Sequence, residues 1–148
     1  MKYVILYEKF GKLEDKLHYA IAKQDISIVK ELIKDGVDIN AKNSDGETAL
    51  LYALIYIDDD IIELLIGAGA DLNVKNDNST PLITSAYNGW MKRVKMFIEA
   101  GADWNIKDEE DKDFLDYLRK KKKEKIINLY PELYKEYLMK KDAEKYNL

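Results

Sequence analysis

Apolar residues in this chain recur with a helical period that glycine interrupts at regular intervals. Leu13, Leu17, Ala20 and Ile21 stand at i, i+4, i+7 and i+8, one face of a helix. After a turn at Gln24-Asp25, Ile28, Val29, Leu32 and Ile33 give a second helix, which Gly36 stops. Glycine takes the left-handed conformation there without a Cβ clash. The phrase from Val29 to Asn40 returns from Ile61 to Asn73 and again from Val94 to Asn105. Its glycines, Gly36, Gly69 and Gly101, are spaced by 33 and 32 residues, and Asp38/Asp71/Asp103 and Asn40/Asn73/Asn105 keep the same interval. One unit of helix, turn, helix, glycine and extended return cannot bury its own apolar face. The pattern therefore predicts stacked helix pairs over 14–34, 48–67 and 80–100.

The second unit opens at Ser44-Asp45-Gly46, with Thr48 as the expected N-cap of the next helix. Asp58, Asp59 and Asp60 mark the break to its second helix and suit the positive helix end. The third unit places Pro81 at a first helical position and turns at Tyr87-Asn88-Gly89-Trp90. A degenerate fourth begins at Asp113-Phe114-Leu115-Asp116 and continues through Ile126, Ile127, Leu129 and Tyr130. Pro131 then starts a further helix, with Leu133, Tyr134, Tyr137, Leu138 and Met139 expected on one face. The resulting division is an N-terminal appendage (1–12), three repeats within 13–112 (13–42, 43–75 and 76–107, then a loop), and a degenerate repeat with a C-terminal capping helix (113–148). Residues 2–10 read either as an extended segment or as a capping helix, ended by Gly11.

Composition narrows the classes. The 148 residues are 47% hydrophobic and 35% charged, which suits a soluble helical protein and argues against disorder. Without cysteine there is no thiolate catalysis, disulfide or cysteine zinc site. The apolar run ending at Tyr7 is too short for a signal segment, and no stretch approaches membrane length, so a cytoplasmic location is expected. The net charge of -4 is unevenly placed: residues 1–113 carry -8 and residues 114–148 carry +4.

Three concordant copies of one pattern resemble the ankyrin repeat. Its T-P-L-H-x-A opening is matched by Thr80-Pro81-Leu82, by Thr48-Ala49-Leu50 with Ala53, and loosely by Lys16-Leu17-His18-Tyr19-Ala20. Its L-L-x-x-G-A-D-x-N ending is matched almost letter for letter from Leu64 to Asn73, and closely from Phe97 to Asn105. Phe114 to Leu118 echoes the family's closing repeats. Over 13–130 the resemblance implies an all-α ankyrin-repeat solenoid of three to four helix-turn-helix repeats, with short hairpin loops and a C-terminal helical cap. It also implies that the chain binds other proteins and has no catalytic chemistry of its own. The chain departs from the pattern in two ways. The family histidine stands only at His18, against Leu51 and Ile83, and the inter-helix glycine only at Gly89, against Gln24 and Ile57.

Candidate chemistry is sparse. His18 is the single histidine, and the resemblance implies that it bonds a neighbouring loop carbonyl rather than serving a nucleophile. Gly67-Ala68-Gly69 follows a helix instead of opening one, so no amides face a phosphate. Asp58–Asp60 and Asp108–Asp111 lack the spacing and central glycine of a calcium loop and read as solvated turns. A catalytic reading would need a carboxylate pair such as Asp45 and Asp77 in one desolvated pocket. No enzyme activity, cofactor, metal or small-molecule substrate is expected.

Stacked repeats offer a concave surface of loop tips and first helices. The partner-contacting positions of the resembled family, carried over, are Lys42, Ser44, Asp45, Glu47, Ile55, Tyr56, Lys75, Asp77, Ser79, Tyr87, Asn88 and Trp90. Lys107 and Lys112 extend the row, and Ala22 and Lys23 begin it. Tyr56 and Tyr87 either face the groove, as aromatic anchors ringed by charge, or pack between repeats. Trp104 is open in the same way. The expected function is a module, monomeric when free, that grips a single protein partner and masks it, as an inhibitor or immunity-type neutralising protein would. The alternative assigns nucleic acid or an acidic surface to the basic C-terminal tail. Lys120 to Lys123 point in four directions around a helix, and the acidic body would repel a phosphate backbone.

Overall fold

Helices form where the apolar period placed them, and short polar side chains cap the starts of four of those described. The computed structural model describes residues 12–56, 58–75 and 79–146. The alternatives for residues 2–10, the stop at Gly11, and the positions of Ile57 and Asp77 lie outside the described residues. The chain divides into two compact units, Met1–Asn76 and Asp77–Leu148. Among the described residues it is all-α, with an isolated antiparallel bridge at Lys42 and Thr48 and no strand. None of the described helices is long and apolar enough to cross a membrane.

The first unit holds α1 (Leu13–Ala22), α2 (Ile26–Lys34), α3 (Ala49–Tyr56) and α4 (Asp59–Gly67). Asp25 caps α2 by accepting from the Ile28 amide at 3.3 Å. Asp58 caps α4 by accepting from the amides of Asp60 and Ile61, both at 3.1 Å. Each cap is worth about 1 kcal/mol. Thr48 departs from this rule. Its hydroxyl is buried and has no hydrogen-bond partner, so the expected cap bond is not made. Helix α1 packs on α2 and α3, α3 on α4, and α2 on α4. Leu17, Ile21, Val29, Leu32, Leu50, Ile61 and Leu65 fill the space between them. Each such side chain contributes about 1.5–3 kcal/mol by leaving water.

The periodic residues have backbone reasons. Gly36, Gly69 and Gly101 take φ of 78°, 88° and 92°, the left-handed geometry that ends a helix. Asp38, Asp71 and Asp103 each accept from the amide two residues on, at 3.0, 2.9 and 2.9 Å. Asn40 then links its hairpin to the next one. Its Oδ1 accepts from the Asp71 amide at 2.8 Å, and its Nδ2 donates to the Gly69 carbonyl at 3.3 Å. At the inter-helix turn Gln24 adopts φ 51° where Gly89 of the second unit adopts 72°, and its Nε2 donates to the Tyr56 carbonyl at 3.0 Å.

The second unit holds α5 (Pro81–Tyr87), α6 (Met91–Glu99), α7 (Phe114–Tyr117), α8 (Lys120–Leu129) and α9 (Pro131–Tyr146). Thr80 caps α5 through the Ile83 amide at 3.3 Å, with Pro81 next. Asp113 and Asp116 form a reciprocal capping box on α7. Trp104 is buried, its ring edge-on to Phe114 at 5.1 Å and to Tyr130 at 6.3 Å, so it belongs to the core. The single apolar face expected on α9 is not what packs. Tyr137 turns inward and donates to Asp113 Oδ2 at 2.6 Å, while Leu133, Leu138 and Met139 stay exposed. Asp113, the buried cap of α7, takes two partners from α9, the Tyr137 hydroxyl and the Lys141 ammonium at 3.4 Å.

Candidate functional site

Two loop tips, one in each unit, are built by the same chemistry. In the first, the Asn43 amide donates to the Glu47 carbonyl at 2.9 Å, and Asn43 Oδ1 accepts from the amides of Asp45 and Glu47 at 3.0 and 2.9 Å. Gly46 closes the turn with φ 80°. Lys42, Ser44 and Asp45 are left exposed and Glu47 half-buried. His18 braces this tip from α1. Its Nε2 lies 3.2 Å from the Glu47 carbonyl and its Nδ1 2.9 Å from the Glu14 carbonyl.

In the second unit Asp108 takes the place of Asn43. Its amide donates to the Lys112 carbonyl at 3.0 Å, and Oδ1 accepts from the amides of Glu110 and Lys112 at 2.9 and 3.1 Å. Asp111, at φ 60°, stands where Gly46 stands. Asp108 Oδ2 accepts the Tyr117 hydroxyl. Burial would raise the Asp108 carboxyl, but these hydrogen bonds outweigh it and hold the group below the usual carboxylate range. The same bond pushes the Tyr117 phenol up to about 12. Neither Asn43 nor Asp108 was expected from the sequence as a tip organiser. The signal available was the shared register of N-S-D-G-E and D-E-E-D-K before a first helix.

Beside each tip lies a first helix with large side chains. On α3, Ile55 is 60% exposed. Tyr56 is half-buried, its hydroxyl 3.2 Å from that of Tyr52 and the two rings 5.1 Å apart. His18 meets Tyr52 edge-on at 5.3 Å, and the hydrogen bond to Tyr56, with burial, raises the Tyr52 phenol to about 12. On α5, Tyr87 is 71% exposed and edge-on to Tyr117 at 5.5 Å. Ser79, Ile83, Thr84 and Tyr87 form one wall of a cleft of 320 Å³, and Asp108, Glu109, Glu110 and Tyr117 form the other. Lys107 pairs with Asp111 at 3.1 Å. Lys112 pairs with Glu110 at 2.5 Å and lies 5.5 Å from the centre of the Tyr117 ring.

The structure thus gathers Ser79 and Tyr87 into one cleft, with Lys107 and Lys112 on its loop. Asn88 is exposed, but its Nδ2 turns back to the Thr84 carbonyl at 2.9 Å. Trp90 is half-buried, with the Arg93 guanidinium 4.7 Å from its ring. Lys75 is exposed in the first unit. The basic run diverges. Lys122 donates to the Gly89 carbonyl at 3.3 Å and Lys123 lies 4.0 Å from Asp116, whereas Lys120 and Lys121 face water. A shallow cleft with an exposed aromatic and a charged rim suits a side chain of another protein. The His18 ring, held between two carbonyls, is not placed to activate a nucleophile.

A family model for ankyrin repeats, in three copies, matches residues 17–124. Over a 45-residue stretch, 30% of this chain, the sequence is 44% identical to the probable E3 ubiquitin-protein ligase XBOS33 of Oryza sativa subsp. japonica. It is 44% identical over 45 residues to the E3 ubiquitin-protein ligase XBAT33 of Arabidopsis thaliana. The matched stretch is 9% of each of these curated relatives, so the chain spans only a small part of their length. Among solved structures it is similar to the ankyrin repeat domain of Bcl-3, described as a unique member of the IkappaB protein family. The TM-score is 0.70 at 24% identity, over 76% of this chain and 50% of that one, a likeness of fold.

Proposed function

This chain belongs to the ankyrin repeat family, and from that footing we propose that it is a binding module that holds a single protein partner through its loop tips and first helices. Ankyrin repeats mediate protein–protein interaction and form a scaffold rather than a catalytic centre. The observation that carries the reading is Tyr87. It is 71% exposed above a cleft, so the fold spends little of its surface, and the side chain is free to anchor a partner. Ile55 has the same standing on α3. The finer reading is a cytoplasmic protein, monomeric when free, that masks its partner as an inhibitor or immunity-type protein does, with repeats over 13–42, 43–75 and 76–107. Nucleic-acid binding by the basic tail draws less support, since Lys122 and Lys123 are turned toward Gly89 and Asp116.

The test is affinity capture from the native cell, followed by calorimetric titration of the protein identified. Tyr87→Ala is expected to weaken binding by at least roughly 30-fold, as loss of a 2 kcal/mol hot spot does. Its cost to stability should stay near 1 kcal/mol, the worth of one edge-on ring pair. Tyr56→Ala is expected to weaken binding less, because Tyr56 is half-buried and its hydroxyl lies 3.2 Å from that of Tyr52. A Tyr87→Ala/Ile55→Ala double variant that folds normally and keeps every partner at full affinity would end this reading.

A further inference from the structure

A second groove, of 570 Å³, runs along the first unit between α2 and α4 and shares no residue with the loop tips or first helices. Ile26, Lys30 and Ile33 line it from α2 at i, i+4 and i+7. Asp60, Glu63, Leu64 and Gly67 line it from α4 in the same phase. The groove therefore follows two adjacent helices for two turns, about 10 Å. Ile26, Ile33 and Leu64 are each only half-buried on its floor.

Gly67 is the unexplained residue. It closes α4 with a φ outside the left-handed region, and a Cβ built on it would meet nothing within 4 Å. Neither backbone geometry nor packing inside the chain calls for glycine, which apart from proline favours a helix least. The other two repeats carry Lys34 and Glu99 at this position. Lys30, Asp60 and Glu63 are exposed, and none is engaged by another described side chain. The groove thus pairs an apolar floor, a gap left by a missing side chain, and free charges of known sign on its two walls.

We propose that this groove receives an amphipathic helix of a partner protein. Its aliphatic stripe lies on Ile26, Ile33 and Leu64, a lysine or arginine faces Asp60 and Glu63, and its backbone comes close over Gly67. A helix suits the site because two adjacent helices leave a groove between them into which the ridge of a third fits, and a glycine permits close approach. The two binding faces together make the chain a bridge between two proteins.

The probe is a fluorescein-labelled, stapled, alanine-based peptide of roughly 15 residues, long enough to be helical. It carries leucines at i, i+4 and i+7 and an arginine beside them. Saturable binding by fluorescence anisotropy is expected, with amide shifts confined to residues 26–33 and 60–68. Gly67→Leu should weaken binding at least roughly tenfold while leaving thermal stability equal or higher. Glu63→Lys should transfer preference to the peptide with glutamate in place of arginine, and Tyr87→Ala should change nothing. The proposal is overturned by any of three results: no saturable binding, undiminished affinity for Gly67→Leu, or equal binding of a proline-interrupted peptide that cannot form a helix.

Discussion

Replacing Thr48 by valine is expected to stabilise the protein, while the same change at Thr80 weakens it. The two threonines occupy one repeat position and differ in what their hydroxyls do. Thr80 Oγ1 accepts from the Ile83 amide at 3.3 Å; Thr48 Oγ1 is buried without a partner. Losing the Thr80 cap costs about 1 kcal/mol. An unpaired buried hydroxyl costs about 1–3 kcal/mol, and valine has the same shape without it, so Thr48→Val should gain about 1 kcal/mol. The variants then stand about 2 kcal/mol apart, some 4–8 °C in Tm for a chain of this size. Urea unfolding followed by circular dichroism reads the difference, with equal slopes as the condition for comparing midpoints. Since a repeat array can unfold in parts, amide exchange supplies a local check. The Tyr52 amide donates to the Thr48 carbonyl at 3.0 Å and the Thr84 amide to the Thr80 carbonyl at 2.8 Å. Protection should hold or rise at Tyr52 in the first variant and fall at Thr84 in the second. If Thr48→Val loses as much stability as Thr80→Val, its hydroxyl caps α3 after all and the reasoning fails.

Three further perturbations probe the links between elements. Asn40→Ala removes both bonds that tie its hairpin to the next and should cost about 1–2 kcal/mol, with faster exchange at the Asp71 amide; unchanged exchange would refute the tie. Gln24→Gly should be near neutral, since release of about 1 kcal/mol of left-handed strain offsets the lost bond to the Tyr56 carbonyl. Gln24→Ala keeps the strain, loses the bond and should be about 1 kcal/mol less stable than glycine in urea. Burial and the bond to Asp113 raise the Tyr137 phenol from 10.0 to about 12, against a smaller opposing effect of Lys141. The folded state thus favours the neutral form. The contribution is whole below pH 10 and is lost as pH rises through about 12, so Tyr137→Phe should flatten part of the alkaline fall in urea midpoint. Tyr52, Tyr117 and Tyr130, raised likewise, should keep the rest of that fall.

The sequence by itself determined the repeat. Gly36, Gly69 and Gly101 need a left-handed φ, and Asp38, Asp71 and Asp103 need only the amide two residues on; both demands are met within a few residues of chain. The helix pairs were legible for the same reason, since a period of 3.6 is a property of neighbours. The candidate site was legible only as a set of positions. That Tyr56 would be held by Tyr52 was present as an i, i+4 pair, but the cleft beside Tyr87 rests on Tyr117, thirty residues further along, and on the loop that Asp108 organises. Trp104 lies in the core because Phe114 and Tyr130 close over it, and α9 turns Tyr137 inward to Asp113 while its aliphatic side chains stay exposed. Thr48 lost its cap bond although Thr80, in the same motif, kept one. Burial and pairing are sums over groups brought close by the fold, and no local pattern contains those sums; tertiary structure alone decided them.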